Sequence, residues 1–139
     1  MIRKFKAGDI NAINELGLAL EPNFKRLFNI ADLTPYERIY VYDDNDEILG
    51  FLHILINYEV LEILNLIVEP THQRQGIASL LLDHLLSEPG LNYQRIILEV
   101  RAGNKAALKL YNKFNFLTIN TRKKYYGAED AIIMERSNN

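Results

Sequence analysis

A chain of 139 residues is the size of one domain, and a hydrophobic fraction of 48% can fill its core, which excludes a disordered segment. The absence of cysteine excludes disulfide scaffolds, thiolate metal sites and thiolate nucleophiles, and fits a reducing, cytoplasmic setting. Sixteen Lys and Arg against eighteen Asp and Glu, a net charge of -2, lack the domain-wide cationic footprint of a nucleic-acid binder.

Residues 1–6 set apolar Ile2 and Phe5 among charged Arg3, Lys4 and Lys6, a short strand that Gly8-Asp9 ends. Charges at Arg3, Lys4, Lys6, Asp9 and Glu15 interrupt any apolar core of a signal peptide. Later apolar runs fall short of the roughly 18 residues of a membrane span, so a soluble protein is expected. Ile10, Ile13, Leu16 and Leu20 recur at helical spacing, with Asp9 as a potential cap and Gly17 as a weak point. Pro22 opens a second helical stretch through Phe24, Leu27 and Phe28. Residues 36–42 and 48–56 are β-branched and aromatic, and Asp43-Asp44-Asn45-Asp46 between them reads as a solvated hairpin tip.

Residues 58–68 are nearly apolar, the mark of a strand buried on both faces. Residues 76–87 carry Ile77, Leu81, Leu85 and Ala78, Leu82, Leu86 on adjoining helical rows and stop at Pro89-Gly90. A strand over 93–101, a helix over 104–114 with Ala106, Ala107, Leu110, Tyr111 and Phe114 on one face, and strands over 116–121 and 131–134 complete the chain. The strand-helix-strand run from Ile63 to Val100 demands parallel flanking strands and a right-handed crossover, so the class is α/β with a mixed sheet.

Two segments could carry chemistry. Gln73-Arg74-Gln75-Gly76-Ile77-Ala78 lies between a buried strand and the first turn of a helix, where bare N–H groups and the helix dipole can hold a diphosphate. Gly76 and Ala78 keep that approach open, although an ordinary helix start would read the same way. In Leu98-Glu99-Val100-Arg101-Ala102-Gly103-Asn104, Glu99 shares a strand face with Ile97 and Arg101. Helices covering both faces would put this carboxylate in a partly dry place where it needs a partner or a purpose. An ion pair with Arg101 or an exposed edge would account for it equally. Tyr111 is a core aromatic or a functional phenol, and Asn104 is well placed as a helix N-cap.

With these residues in view, the chain resembles the GNAT N-acetyltransferases. Their acetyl-CoA loop reads Gln or Arg, two residues, Gly, one residue, then Gly or Ala, here residues 73–78. Residues 98–111 and the ending Tyr125-Tyr126-Gly127-Ala128-Glu129-Asp130-Ala131-Ile132-Ile133-Met134 are similar to the bacterial ribosomal-protein-alanine N-acetyltransferases, the RimI type. Asn115 stands where that type has glycine, and Asn is the next-best residue for a left-handed helix end. Gly103 replaces a small polar residue, and no Trp is present in the N-terminal helices, where the type has a Pro-Trp feature.

The resemblance implies a single GNAT domain over residues 1–139, with about seven strands and about four helices, and acetyl-CoA as co-substrate. It implies that backbone groups of Leu66, Ile67 and Val68 meet the acetyl and pantetheine portion, and that Arg74, Gln75, Gly76, Ile77, Ala78 and Ser79 hold the pyrophosphate. Asn104 contacts the cofactor, Glu99 accepts a proton and Tyr111 donates one to the leaving sulfur. These roles suit the chemistry. An α-amine of pKa about 7.7–8.0 is partly neutral at neutral pH, whereas lysine at about 10.4 is not, so a carboxylate of about 4.3 suffices as proton acceptor, through water. A thiol of about 8.5 leaves with little help from a tyrosine of about 10, so Tyr111 orients the sulfur as much as it protonates it. Without cysteine, direct attack in a ternary complex is expected.

The implied acceptor is a protein N-terminus, an alanine-starting tail of a small-subunit ribosomal protein. The alternatives are a small-molecule amine acceptor and a non-catalytic acyl-CoA-binding module. No membrane partner and no direct nucleic-acid binding are expected. His53, His72 and His84 lack metal-ligand spacing, so no metal is expected. Arg122-Lys123-Lys124, beside Tyr125 and Tyr126, reads as a solvated strand end or as guidance for an acidic or phosphate-bearing partner.

Overall fold

The order of elements read from the sequence recurs in the computed structural model. It runs β1 (Ile2–Lys4), a 3-10 turn (Ala7–Asp9), α1 (Ile10–Leu20), β2 (Glu37–Asp44), β3 (Glu47–Asn57) and β4 (Val60–Val68). A second 3-10 turn (Pro70–His72), α2 (Ile77–Leu86), β5 (Arg95–Arg101), α3 (Lys105–Lys113), β6 (Leu117–Tyr126) and β7 (Glu129–Ser137) follow. The structure describes residues 1–21, 24, 33–73 and 75–138, without the side chain of Tyr126. The second helical stretch expected from Pro22 lies outside the described residues except for Phe24, which leaves three described α-helices of the four expected.

The seven strands follow the order β1-β2-β3-β4-β5-β7-β6. Hairpin connections make β2–β3 and β6–β7 antiparallel, while α2 carries the chain back so that β4 and β5 run parallel. The sheet is therefore mixed, as expected. The chain divides into two compact units, residues 1–55 with 65–90 and residues 56–64 with 91–139.

In the first unit, Ile13, Phe24, Ile39, Val41, Phe51 and Ile67 form one buried cluster. Each such side chain contributes about 1.5–3 kcal/mol through removal of apolar surface from water. Gly17 proves to be a close approach: a Cβ there would lie 2.5 Å from the Phe24 ring. Asp9 does not cap α1 as expected. Its carboxylate instead takes a two-pronged pair from Arg3 at 2.8 and 2.9 Å and the Lys6 N–H at 2.9 Å. A forked charge-assisted pair is stronger than a single capping bond, and it holds the Asp9 carboxyl below the usual range. The acidic hairpin tip is likewise only partly solvated, because Asp43 accepts a bond from Arg3 Nε at 2.9 Å. Asn45 and Asp46 at φ 51° and 70° make the two-residue turn that suits strand twist.

In the second unit, Leu61, Ile96, Phe116 and Met134 are fully buried, and Leu98 faces Met134 across the β5–β7 ladder. β6 and β7 are longer than the 116–121 and 131–134 expected, because β6 continues through the basic run that looked like a strand end. As the outermost strand it can keep polar side chains in water while its backbone pairs with β7.

Candidate active site

The first unit carries the candidate cofactor segment. Only residues 60–63 of β4 stand in register with β5, so Leu66, Ile67 and Val68 lie past that ladder. The Gln73 side chain donates from Nε2 to the Val68 carbonyl at 3.1 Å, tying the loop to the strand end. Gly76 then adopts φ 80°, ψ 9°, the left-handed conformation that glycine takes without steric cost. It is the N-cap of α2 and brings no side chain to the helix's first N–H groups, and a Cβ there would meet nothing within 4 Å. Ile77 is buried as an anchor, Ala78 and Ser79 are half-buried and Gln75 is exposed. Arg74 lies outside the described residues.

The second unit carries Glu99, Asn104 and Tyr111. Strand alternation puts Ile96, Leu98 and Val100 in the core and leaves Glu99 half-buried, its side chain 29% exposed. β5 lies between β4 and β7, which removes the exposed-edge account of Glu99. Arg122 of β6 approaches it at 3.4 Å, an ion pair reaching past β7. Glu62 of β4 is its like-charged neighbour, and burial, then the Glu99 charge, pushes the Glu62 carboxyl up. Asn104 Oδ1 accepts the Ala107 N–H at 3.1 Å, so the capping role is real. Asn115 at φ 69° ends the helix as expected, with the Phe116 N–H on the Tyr111 carbonyl at 3.0 Å.

Tyr111 is buried, and its ring meets Phe116 edge-on at 5.4 Å between centroids. Among the described residues its hydroxyl has no hydrogen-bond partner, yet no fully buried side-chain N or O is left orphaned. Burial pushes the phenol above its ordinary range.

Elsewhere the histidines serve structure: His53 pairs with Glu37 at 2.8 Å, His84 with Glu88 at 3.1 Å, and His72 with Glu69. Among the described residues no three acidic or histidine side chains gather to hold a metal ion. A cleft of about 340 Å³ at the start of β2, lined by Lys4, Phe5, Thr34, Glu37, Arg38 and Ile39 among others, includes none of the candidate site residues.

Residues 11–116 match the model of the acetyltransferase (GNAT) family. The chain belongs to this family. A ribosomal protein bS18 alanine N-acetyltransferase of Escherichia coli is 37% identical over 95 residues, covering 65% of this chain and 64% of the relative. The chain thus spans just under two thirds of the length of the first curated relatives that it matches. The enzyme of the same description from Haemophilus ducreyi is 32% identical over 136 residues, 83% of this chain and 94% of the relative. The crystal structure of the ribosomal-protein-alanine N-acetyltransferase from Escherichia coli superposes with a TM-score of 0.87 at 26% identity, covering 99% of this chain and 92% of that one. Membership accounts for a mixed seven-stranded sheet with the loop of residues 73–78 opening a helix.

Sequence reasoning passed over Glu62, a lone carboxylate inside an apolar run, and had no means to pair Arg122 with Glu99. The first carried a signal, a charge where alternation expects burial. The second carried none, because the contact joins positions 23 residues apart through strand order.

Proposed function

We propose that residues 1–139 act as one acetyl-CoA-dependent N-acetyltransferase domain that transfers acetyl to the N-terminal α-amine of a protein. The observation that carries this reading is the start of α2, where a left-handed glycine with open space around it precedes a helix end free of side-chain capping. Those features fit a diphosphate, whose charge suits the helix dipole and whose oxygens need N–H donors. Backbone groups of Gln75, Gly76, Ile77, Ala78 and Ser79, with Arg74, would hold the diphosphate of acetyl-CoA, and those of Leu66, Ile67 and Val68 its pantetheine arm. Asn104 keeps Nδ2 for the cofactor while Oδ1 caps α3. The bound thioester supplies the activated acetyl group.

Glu99 takes the ammonium proton through water, which leaves a neutral amine to attack. The Tyr111 hydroxyl hydrogen-bonds the sulfur as it gains charge. With no cysteine in the chain, the acetyl passes directly to the amine. The relatives support the alanine-starting tail of a small-subunit ribosomal protein as acceptor, since one of them is 32% identical across 94% of its length. A ribosomal-protein acceptor would place the work in the cytoplasm; among the described residues no helix is long and apolar enough to cross a membrane.

A second reading, a small polar amine as acceptor, is favoured by the half-buried Glu62 beside Glu99, a pair that suits a cation. The deciding measurement is a mass-shift assay with acetyl-CoA against N-terminal peptides, lysine peptides and polyamines. Acetylation of alanine-starting peptides is expected, with Glu99→Gln lowering kcat by roughly 10² and leaving acetyl-CoA affinity unchanged. Acetylation of polyamines alone would move the acceptor to the second reading. Absence of acetyl-CoA binding would remove the enzyme reading and that of a non-catalytic binding module together.

A further inference from the structure

We propose that Arg122 is a positioning residue for Glu99, held by a bulge in the edge strand so that its guanidinium reaches past β7 to the carboxylate. This rests on the reading of Glu99 as proton acceptor. The register supports it. Arg122 pairs with Ala131 on β7, and Ala131 pairs with Arg101 on β5, while Glu99 lies two residues along on the same face, opposite Ile133. Two strand spacings across, about 9.6 Å, and two residues along, roughly 6.6 Å, make a diagonal of about 12 Å, too far for short side chains but within reach of an arginine aimed at a glutamate. The intervening Ala131 is fully buried and small, so it leaves that path open, and the ion pair closes at 3.4 Å.

The far side of Arg122 is also fixed. The β6–β7 register breaks between Arg122 and Tyr126, with Lys124 in the left-handed region at φ 52° and its N–H bonded to Asp130 Oδ1 at 2.7 Å. A bulge of this kind re-aims side chains. Here it brings the Tyr125 ring beneath the Arg122 guanidinium, 5.2 Å from centroid to carbon, a cation–π contact. Glu99 thus sits among Glu62 from β4, Arg101 on its own strand and Arg122 from β6. Arg122 is the cation whose direction is set from outside β5, and it holds the carboxylate rotamer against repulsion from Glu62.

The test is a double-mutant cycle on the full chain with acetyl-CoA and an alanine-starting peptide. Arg122→Ala is expected to lower kcat about two- to fivefold, the range of a half-exposed ion pair, with KM for acetyl-CoA unchanged and most of the loss restored by Arg122→Lys. In a Glu99→Gln background the same substitution should change kcat less than twofold. An equal fall in both backgrounds would overturn the inference, because Arg122 would then act independently of Glu99. Wild-type turnover in Glu99→Gln alone would remove the reading of Glu99 as proton acceptor and this inference with it. A readout free of turnover is the ¹³C carboxyl resonance of Glu99, assigned by its loss in Glu99→Gln. It should move in Arg122→Ala and return in Arg122→Lys, and an unmoved resonance counts against the pairing.

Discussion

Tyr111→Phe separates a core aromatic from a working phenol, because the two roles predict different losses. The substitution removes one oxygen and keeps the ring against Phe116 at 5.4 Å, a contact of about 0.5–1.5 kcal/mol. A buried tyrosine whose hydroxyl bonds to the chain loses about 1 kcal/mol of stability when that hydroxyl is removed. The Tyr111 hydroxyl has no such partner among the described residues, so the expected change in unfolding free energy is within about 0.5 kcal/mol. Turnover should respond instead. A hydrogen bond to a sulfur that gains charge is worth about 1.5–3 kcal/mol, or roughly 10- to 150-fold in kcat. Burial holds the phenol above its ordinary range and makes it a poor proton donor, which places the expected loss at the lower end, about tenfold. Urea unfolding followed by circular dichroism gives the first number, and initial rates of thiol release give the second. A stability loss above about 1 kcal/mol would reveal a structural partner for the hydroxyl. Unchanged kcat in a stable variant would return Tyr111 to the core. Tyr111→Ala, by contrast, opens a cavity and should cost about 3–5 kcal/mol.

Gly76→Val puts a β-branched residue at φ 80° and shields the start of α2, so KM for acetyl-CoA should rise tenfold or more; an unchanged KM in a folded variant places the cofactor elsewhere. Gly17→Ala gains up to about 1 kcal/mol of helix propensity but forces the Phe24 ring aside, for a net loss of about 1 kcal/mol in thermal unfolding; a stabilised variant would contradict the close approach. The bonds from Arg3 depress the folded-state pKa of Asp9, so this stabilisation is full above the unfolded value of about 3.9 and is lost as pH falls through the lower folded one. Arg3→Ala should cost about 2 kcal/mol at pH 7 and flatten the acid limb of stability against pH; an unchanged limb would assign it to other carboxylates.

Much of the architecture was legible in one dimension because local signals agree with one another. The apolar rows of α2, the Asn104 cap and the Asn115 helix end are each set within a few residues, and each appears where the sequence puts it. Parallel pairing of β4 and β5 followed from the intervening helix. Strand ends were less legible, since β6 continues through Arg122-Lys123-Lys124 on backbone pairing that side-chain polarity does not report.

The sequence by itself determined the elements, the loop that opens α2 and the candidate carboxylate on β5, because capping, turn chemistry and alternation act over short stretches of chain. Tertiary structure alone decided the partners. Whether Asp9 caps a helix or binds Arg3, and whether Arg122 comes within 3.4 Å of Glu99 from past β7, depends on which strands become neighbours. That choice is made by burial summed over the whole sheet, and a charge such as Asp9 then takes the best-aligned opposite charge that packing brings within reach.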